Sequence, residues 1–449
     1  MAHDFTQQNI YTTIDKKIRK ACTDNNRMVL ANMKIIDIGK YVDKRFKQLH
    51  IETKSFDEDD DKDRQKEQQQ NTPQLKSAKQ SNHQEESDND ETNKNNSNNT
   101  NNLSGIKKQL PIINENTKAY IFNNNHNQND DRSGFIIIPK CLSPEQQIFW
   151  SYHILNDLSQ PSICKSNIKP SSQFEKNTYR KFVQECSTTY KTSGTDLNNK
   201  NKRKNKYHKK MEALKWSTFG HHFDFDNEMY HGNIYNNEEN GDDDNDDDKA
   251  GYDYDLDDWY NELPSTFGIL ASHIIYSLGI ISNDGLPFQP DTSFVNYYIN
   301  RDRKAGHRNL AEQDQHAPVV GISLLNDGIF LLGGETKDVL PIPMLLHSGD
   351  IIIMNGKSRR VTHGISCIIK NTIQKDILHG LVDHTLANIT LPIQDNDDDP
   401  DTKKKFTSMA LKNYLSILRL GINIRQVFKR RDELQHKFYF LKNHEITYY

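Results

Sequence analysis

Apolar positions along this chain are grouped unevenly, and the grouping changes character near residue 290. Beyond that point come "SFVNYYI", "PVVGISLL", "GIFLLGG", "MLLHSGDIIIMNG", "HGISCII" and "INIRQVF". These runs are short, rich in Val, Ile and Phe, and bounded by Gly, Asn, Asp and Pro. Strands at such spacing predict a β-barrel or a double-sheet jelly roll. Before residue 290 the pattern is mixed. Residues 9–50 scatter Ile, Val, Leu and Met among lysines and read as weakly helical. "GFIIIPKCLSPEQQIFWSYHIL" opens with a strand bracketed by Gly134 and Pro139. Ser143 then reads as a helix N-cap with Pro144 at the first helical position. "PSTFGILASHIIYSLGI" (264–280) has apolar residues at helical spacing.

Polar stretches interrupt this pattern. Residues 52–105 hold almost no aromatic or branched apolar side chain, so burial cannot offset an ordering cost of about 1–2 kcal/mol per residue. Disorder is expected there. A basic tract (199–210) carries seven Lys/Arg in twelve residues, and an acidic tract follows at 237–258. Both read as solvated insertions, and "QDNDDDPDTKKK" (394–405) as a polar break. A mean hydropathy of −0.88 fits a globular domain diluted by such segments.

Charge is balanced overall, 58 basic against 62 acidic residues, so bulk charge points to no nucleic-acid partner. Any such signal is local. As an arm, the basic tract would contact phosphates without sequence preference, or serve as a nuclear address; the plain alternative is an insertion with no partner. Five widely spaced cysteines without a CxxC make a disulfide framework or zinc site unexpected and suit a reducing compartment. No apolar run reaches the length of a membrane span, and "MAHDFTQQNIYTTIDKKIRK" lacks the apolar region of a signal peptide. An intracellular protein is expected, nuclear and/or cytoplasmic, with a mitochondrial location left open.

The candidate chemistry lies in "KAGHRNLAEQDQHAPVVGISL" (304–324). Two histidines and a carboxylate on one metal face are the ligand set of non-haem iron(II) oxygenases. His307 and Asn309 stand two apart, so an extended backbone puts both on one face. His363 in "SRRVTHGIS" is the candidate distal ligand. A lone His-x-Asn is weak evidence, since a polar loop histidine explains it more readily. Arg419 and Arg425 in "RLGINIRQV" are also an even number apart. Facing a barrel interior they would bind a dicarboxylate; on an edge strand they would be surface residues.

Together these motifs resemble the AlkB family of Fe(II)/2-oxoglutarate-dependent dioxygenases, closest to its AlkB homologue one subgroup. "NYYINRDRKAGH" resembles the family's N-x-Y element and first iron histidine. "FLLGGETKDVLPIPMLLHSGDIIIMNGKSRRVTHGI" and "YLSILRLGINIRQV" resemble the segments with the distal histidine and the closing R-x5-R. "GFIIIPKCLSPEQQ", "LKWSTFGHHFDF" and "LPSTFGILASHI" follow it in order, so the resemblance covers about 117–430. It implies an α+β protein, mostly β with flanking helices, around a double-stranded β-helix (jelly roll) with disordered low-complexity insertions. The expected layout is an N-terminal extension (1–51), a linker (52–115), a first part with the substrate lid (116–289), the jelly roll (290–430) and a tail (431–449).

The resemblance also implies roles. His307, Asn309 and His363 take the metal positions, with no catalytic residue beyond the metal site. Asn296 and Tyr298 hydrogen-bond 2-oxoglutarate, Arg419 pairs with its distal carboxylate, and Arg425 lies near its metal-bound end. Arg359 touches substrate or packs the iron site. Trp216, His222 and Phe225, in the candidate lid 213–225, face a flipped base; Trp216 and Phe225 would otherwise be core. Implied cofactors are Fe(II) and 2-oxoglutarate; the implied substrate is nucleic acid, with tRNA N1-methyladenosine and DNA N6-methyladenine both open. Two positions depart from the family. Asn309 stands where it has aspartate, and Gly421 where it usually has asparagine, with Asn423 two residues on. The alternative reading is therefore a catalytically impaired module that binds nucleic acid or a partner.

Overall fold

The computed structural model describes residues 9–23, 33–40, 43–51, 108–124, 127, 129–160, 162–168, 177–188, 206–231, 259–280, 288–392, 399–428, 439–442 and 445–448. The expectations for 52–105 and for the acidic tract 237–258 fall outside these residues.

The helices are α1 (Ile10–Thr23), α2 (Pro144–His153), α3 (Thr178–Thr188), α4 (Lys206–Ala213), α5 (Ser265–Ser277), α6 (Lys375–Asn388) and α7 (Pro400–Leu415). The strands before residue 290 are β1 (Phe46–Leu49), β2 (Ala119–Phe122), β3 (Ile136–Ile138), β4 (Lys165–Ser166), β5 (Trp216–Gly220), β6 (Phe223–Asp224) and β7 (Met229–Tyr230). Those after it are β8 (Thr292–Ile299), β9 (Lys304–His307), β10 (Val319–Leu325), β11 (Asp327–Leu332), β12 (Ile342–Leu346), β13 (Ile351–Met354), β14 (His363–Ile369), β15 (Leu418–Arg425), β16 (Tyr439–Lys442) and β17 (Glu445–Tyr448).

Two antiparallel sheets face one another. The larger runs β1-β2-β3-β13-β10-β15-β8-β5-β4 and the smaller β12-β11-β14-β9. Neither closes on itself, so the expected jelly roll is an open double sheet with helices outside. Strand alternation divides the large sheet cleanly. On β15, Leu418, Leu420 and Ile424 pack with Trp150 of α2, Phe267 of α5 and Leu411 of α7. Arg419, Gly421, Asn423 and Arg425 point the other way, into a cavity between the sheets. Both faces are covered, so every residue of β8 and β10 is buried.

Helix α2 begins as its residues dictate. Ser143 and Gln146 form a reciprocal capping box, with proline inside the first turn. Other elements differ from the sequence reading. The basic tract is not wholly a solvated arm: Lys206–Lys210 lie in α4, with three lysine ammonium groups around Tyr207. The polar break at 394–405 contains the start of α7, where Asp399 accepts hydrogen bonds from the backbone N–H of Asp401 and Thr402. The linker expected to run to residue 115 ends earlier. The Leu110 and Gln109 carbonyls accept from Gln146 and Trp150 of α2.

The N-terminal extension is built into the fold. Strand β1 joins the edge of the large sheet, and α1 covers the outer face of the small sheet. Asp15 of α1 accepts from Ser366 of β14 and pairs with Arg303. Cys22 and Cys367 are joined by a disulfide, where no pairing was expected, because α1 lies on β14 across 345 residues of sequence. Tyr11 sits where two glycines leave room. A Cβ on Gly306 or Gly333 would meet its ring at less than contact distance. The Tyr11 backbone N–H donates to Lys337 O at 2.9 Å, so the ring cannot easily withdraw. Gly306→Ala is expected to cost about 1–3 kcal/mol by overpacking. In denaturant titrations, Tyr11→Ala should relieve most of that cost; strictly additive effects would show that Tyr11 does not fill this space.

Candidate active site

The cavity between the sheets has a volume of about 160 Å³. Strand β9 brings His307 and β14 brings His363, and the two are direct partners in the sheet register. Their rings lie 4.6 Å apart between centroids. Each Nδ1 is 3.0 Å from a backbone carbonyl, Ala305 O for His307 and Val361 O for His363. A carbonyl only accepts, so each Nδ1 carries the proton and each Nε2 keeps its lone pair. Burial pushes both imidazoles down, His363 to about 4, which favours the neutral form a metal needs. Asn309 lines the same cavity, and its Oδ1 lies 3.4 Å from Arg425 Nη1.

Across the cavity, β15 supplies Arg419. It is 2% exposed. Its Nη1 donates to Asn326 O at 2.7 Å, and its Nε has no hydrogen-bond partner. Gly328 admits the guanidinium: a Cβ there would stand 2.7 Å from Arg419 Nε. Asn296 and Tyr298 stand on neighbouring β8, Tyr298 beside Arg419 and Asn296 beside Gly421. The absent side chain at 421 leaves space against the Tyr298 ring, 3.4 Å away, and Asn423 follows on the same face. Behind Arg419, His347 lies between Asp37 (3.2 Å) and Asp327 (3.0 Å). The Asp327 hydrogen bond leads the causes that raise its imidazole to about 9.

Of the eleven residues singled out from sequence, eight line this cavity: Phe225, Asn296, Tyr298, His307, Asn309, His363, Arg419 and Arg425. Three do not. Arg359 is fully buried behind the site, donating to Ala317 O and Asn309 O. His222 is 3% exposed and bonded to Thr218 Oγ1 at 2.8 Å, and burial lowers its imidazole to about 3. Trp216 sits beside the cavity rather than on its wall, its ring 5.1 Å from that of Phe225. The proposed lid divides accordingly. Its first part is β5, in the large sheet, while the β6–β7 hairpin puts Phe223, Phe225 and Tyr230 at the cavity.

A family model for the 2OG-Fe(II) oxygenase superfamily matches residues 134–425. The chain belongs to this superfamily. Within it the chain is a member of the AlkB family close to ALKBH1. It is 26% identical to "Nucleic acid dioxygenase ALKBH1" of Homo sapiens over 66% of this chain and 64% of that protein. It is 29% identical to "DNA N(6)-methyladenine demethylase ALKBH1A" of Arabidopsis thaliana, over 67% of this chain and 76% of that protein. "tRNA demethylase abh1" of Schizosaccharomyces pombe is 27% identical over 38% of this chain and 47% of its own length. Thus the match spans just under two thirds of the human relative.

Superfamily members use Fe(II) and 2-oxoglutarate, and the residues present fit these groups unequally. The co-substrate fits well. Arg419 is a buried cation lining the cavity, without an ion-pair partner among the described residues, and a carboxylate is the partner such a group requires. The two histidines fit a metal through Nε2. The third donor is a neutral amide, and among the described residues no three His, Cys, Asp or Glu gather into a metal site. Glu312 is a site residue that the sequence motifs did not mark. It is 1% exposed at its side chain, 2.5 Å from Arg425 and 3.5 Å from Arg359. Burial alone would raise its carboxyl, but the Arg425 and Arg359 guanidiniums outweigh that and hold it below the usual range.

Proposed function

We propose that this protein is an Fe(II)/2-oxoglutarate-dependent dioxygenase that demethylates N-methylated bases in nucleic acid, with tRNA N1-methyladenosine or DNA N6-methyladenine as substrate. The observation that carries the reading is the buried Arg419 guanidinium, which makes no ion pair among the described residues, lining the same cavity as two Nε2-free histidines. Superfamily membership supports it, and the relatives' names supply the substrate class. When bound, iron(II) with 2-oxoglutarate supplies the activation of O2. The balance is N-methyl base, O2 and 2-oxoglutarate in; free base, formaldehyde, succinate and carbon dioxide out. The chain's own part is positional: Arg419, Tyr298 and Asn296 orient the co-substrate, and His307 and His363 set the metal face. Phe223, Phe225 and Tyr230, which line the cavity, supply the aromatic surface for an unstacked base.

The test is succinate and formaldehyde release from the iron-loaded full-length chain with a methylated tRNA stem-loop or methylated single-stranded DNA. His307→Ala and His363→Ala should lower release to background. A second reading, a binding module without turnover, is favoured by Asn309, whose amide brings no charge to a dication. Asn309→Asp should raise metal affinity by about 10-fold or more, or about 1.4 kcal/mol. Tight metal binding by that variant with no turnover on either substrate, while both still bind, would decide for the second reading.

A further inference from the structure

The charges around this cavity favour an anion. Its wall carries Lys304, Arg308, Arg419 and Arg425 against only Glu312 and Asp350. The two acids offset only part of this charge. Glu312 is shared between Arg425 and the fully buried Arg359. Asp350 accepts the backbone N–H groups of Lys140 and His347. Asn309, between the histidines and Arg425, adds an oxygen but no charge. Two buried guanidinium nitrogens, Arg419 Nε and Arg425 Nε, have no hydrogen-bond partner. A buried cation without an anion is costly, and that cost is recovered when an anion enters. A dication meets the opposite field: two neutral imidazoles, an amide and an excess of arginines.

We propose that this cavity binds a short dicarboxylate such as 2-oxoglutarate without any metal, held by Arg419 and the Arg425 side of the site, and that Asn309 is what makes this possible. This rests on the assignment of the cavity to 2-oxoglutarate above. An aspartate at 309 would place a second carboxylate against Arg425, cancel the local excess and repel the incoming anion. Co-substrate binding would then depend on the metal that such a carboxylate helps to hold. With asparagine the order is reversed: the anion binds first and unaided, and its own carboxylate supplies the negative charge that the metal face lacks. The group that completes the charge balance is then the ligand rather than the chain.

The experiment is calorimetric titration of the full-length protein with 2-oxoglutarate, once in excess EDTA and once in Mn(II). Wild type should bind in EDTA, with an affinity within about 3-fold of that in Mn(II). Asn309→Asp should bind about 10-fold or more weakly than wild type in EDTA, and Mn(II) should restore it. Mn(II) titrated into wild type should bind more tightly with 2-oxoglutarate present than without. Binding by wild type in Mn(II) but not in EDTA overturns the proposal and leaves the dioxygenase reading intact. No binding under either condition overturns both. Equal affinities of wild type and Asn309→Asp in EDTA would also overturn it, since residue 309 would then have no influence on the anion.

Discussion

Arg419→Ala is expected to lower the affinity for 2-oxoglutarate by about 100-fold or more, which corresponds to about 2.7 kcal/mol. The guanidinium is buried, held from behind by Asn326 O, and lacks a partner at Nε. A bound carboxylate therefore gains a charge-assisted contact already paid for in desolvation. Arg419→Lys should recover only part of the loss, because an ammonium keeps the charge but not the planar fork. The fold should survive either change, since among the described residues Arg419 makes no ion pair, and its hydrogen bonds to protein run only to backbone carbonyls. Titration calorimetry with a circular-dichroism melt checks both halves. Unchanged affinity in a folded Arg419→Ala protein would remove this residue from the site.

Glu312→Gln is expected to destabilise the fold by about 3–5 kcal/mol. The side chains of Glu312, Arg359 and Arg425 are 1%, 0% and 11% exposed, so solvent screens their charges little. Removing the carboxylate leaves the Arg425 and Arg359 guanidiniums without their shared counter-charge. The pH dependence has a definite sign. The folded-state carboxyl is held below its usual value of 4.5, so its contribution is complete above that pH and is lost as pH falls below it. Wild type should therefore lose stability on acidification through this range more steeply than Glu312→Gln. Combining Glu312→Gln with Asn309→Asp should cost less than Glu312→Gln alone, because a carboxylate at 309 would stand beside Arg425. Guanidinium-chloride titrations of the four proteins make the cycle; strict additivity would show that the two positions do not share one charge balance.

Much of the site could be read along the chain because strands project side chains with a period of two. The pairs His307 and Asn309, Asn296 and Tyr298, and Arg419 and Arg425 all have even spacing, and each pair reaches the cavity. Residues placed by motif alone behaved differently. His222 and Trp216 belong to β5 and the turn after it, and the packing of β5 into the large sheet decided their surroundings. Helix α7 was hidden by its own charges, since a run of aspartates and lysines resembles a solvated loop until one aspartate caps the helix.

The sequence by itself determined the class of fold, the strands of the core, the family and the residues that could hold a metal and a dicarboxylate. These depend on local spacing and residue type, which a linear pattern carries. Only the tertiary structure decided where the charges balance. Glu312 meets Arg425 across 113 positions, and Tyr11 fills the space left by Gly333 from the far end of the chain. The strength of a buried ion pair depends on which groups surround it and how far water is excluded, and neither is encoded in the neighbours along the chain. The neutral amide at 309 was visible in the sequence; the surplus of buried arginines around it was not.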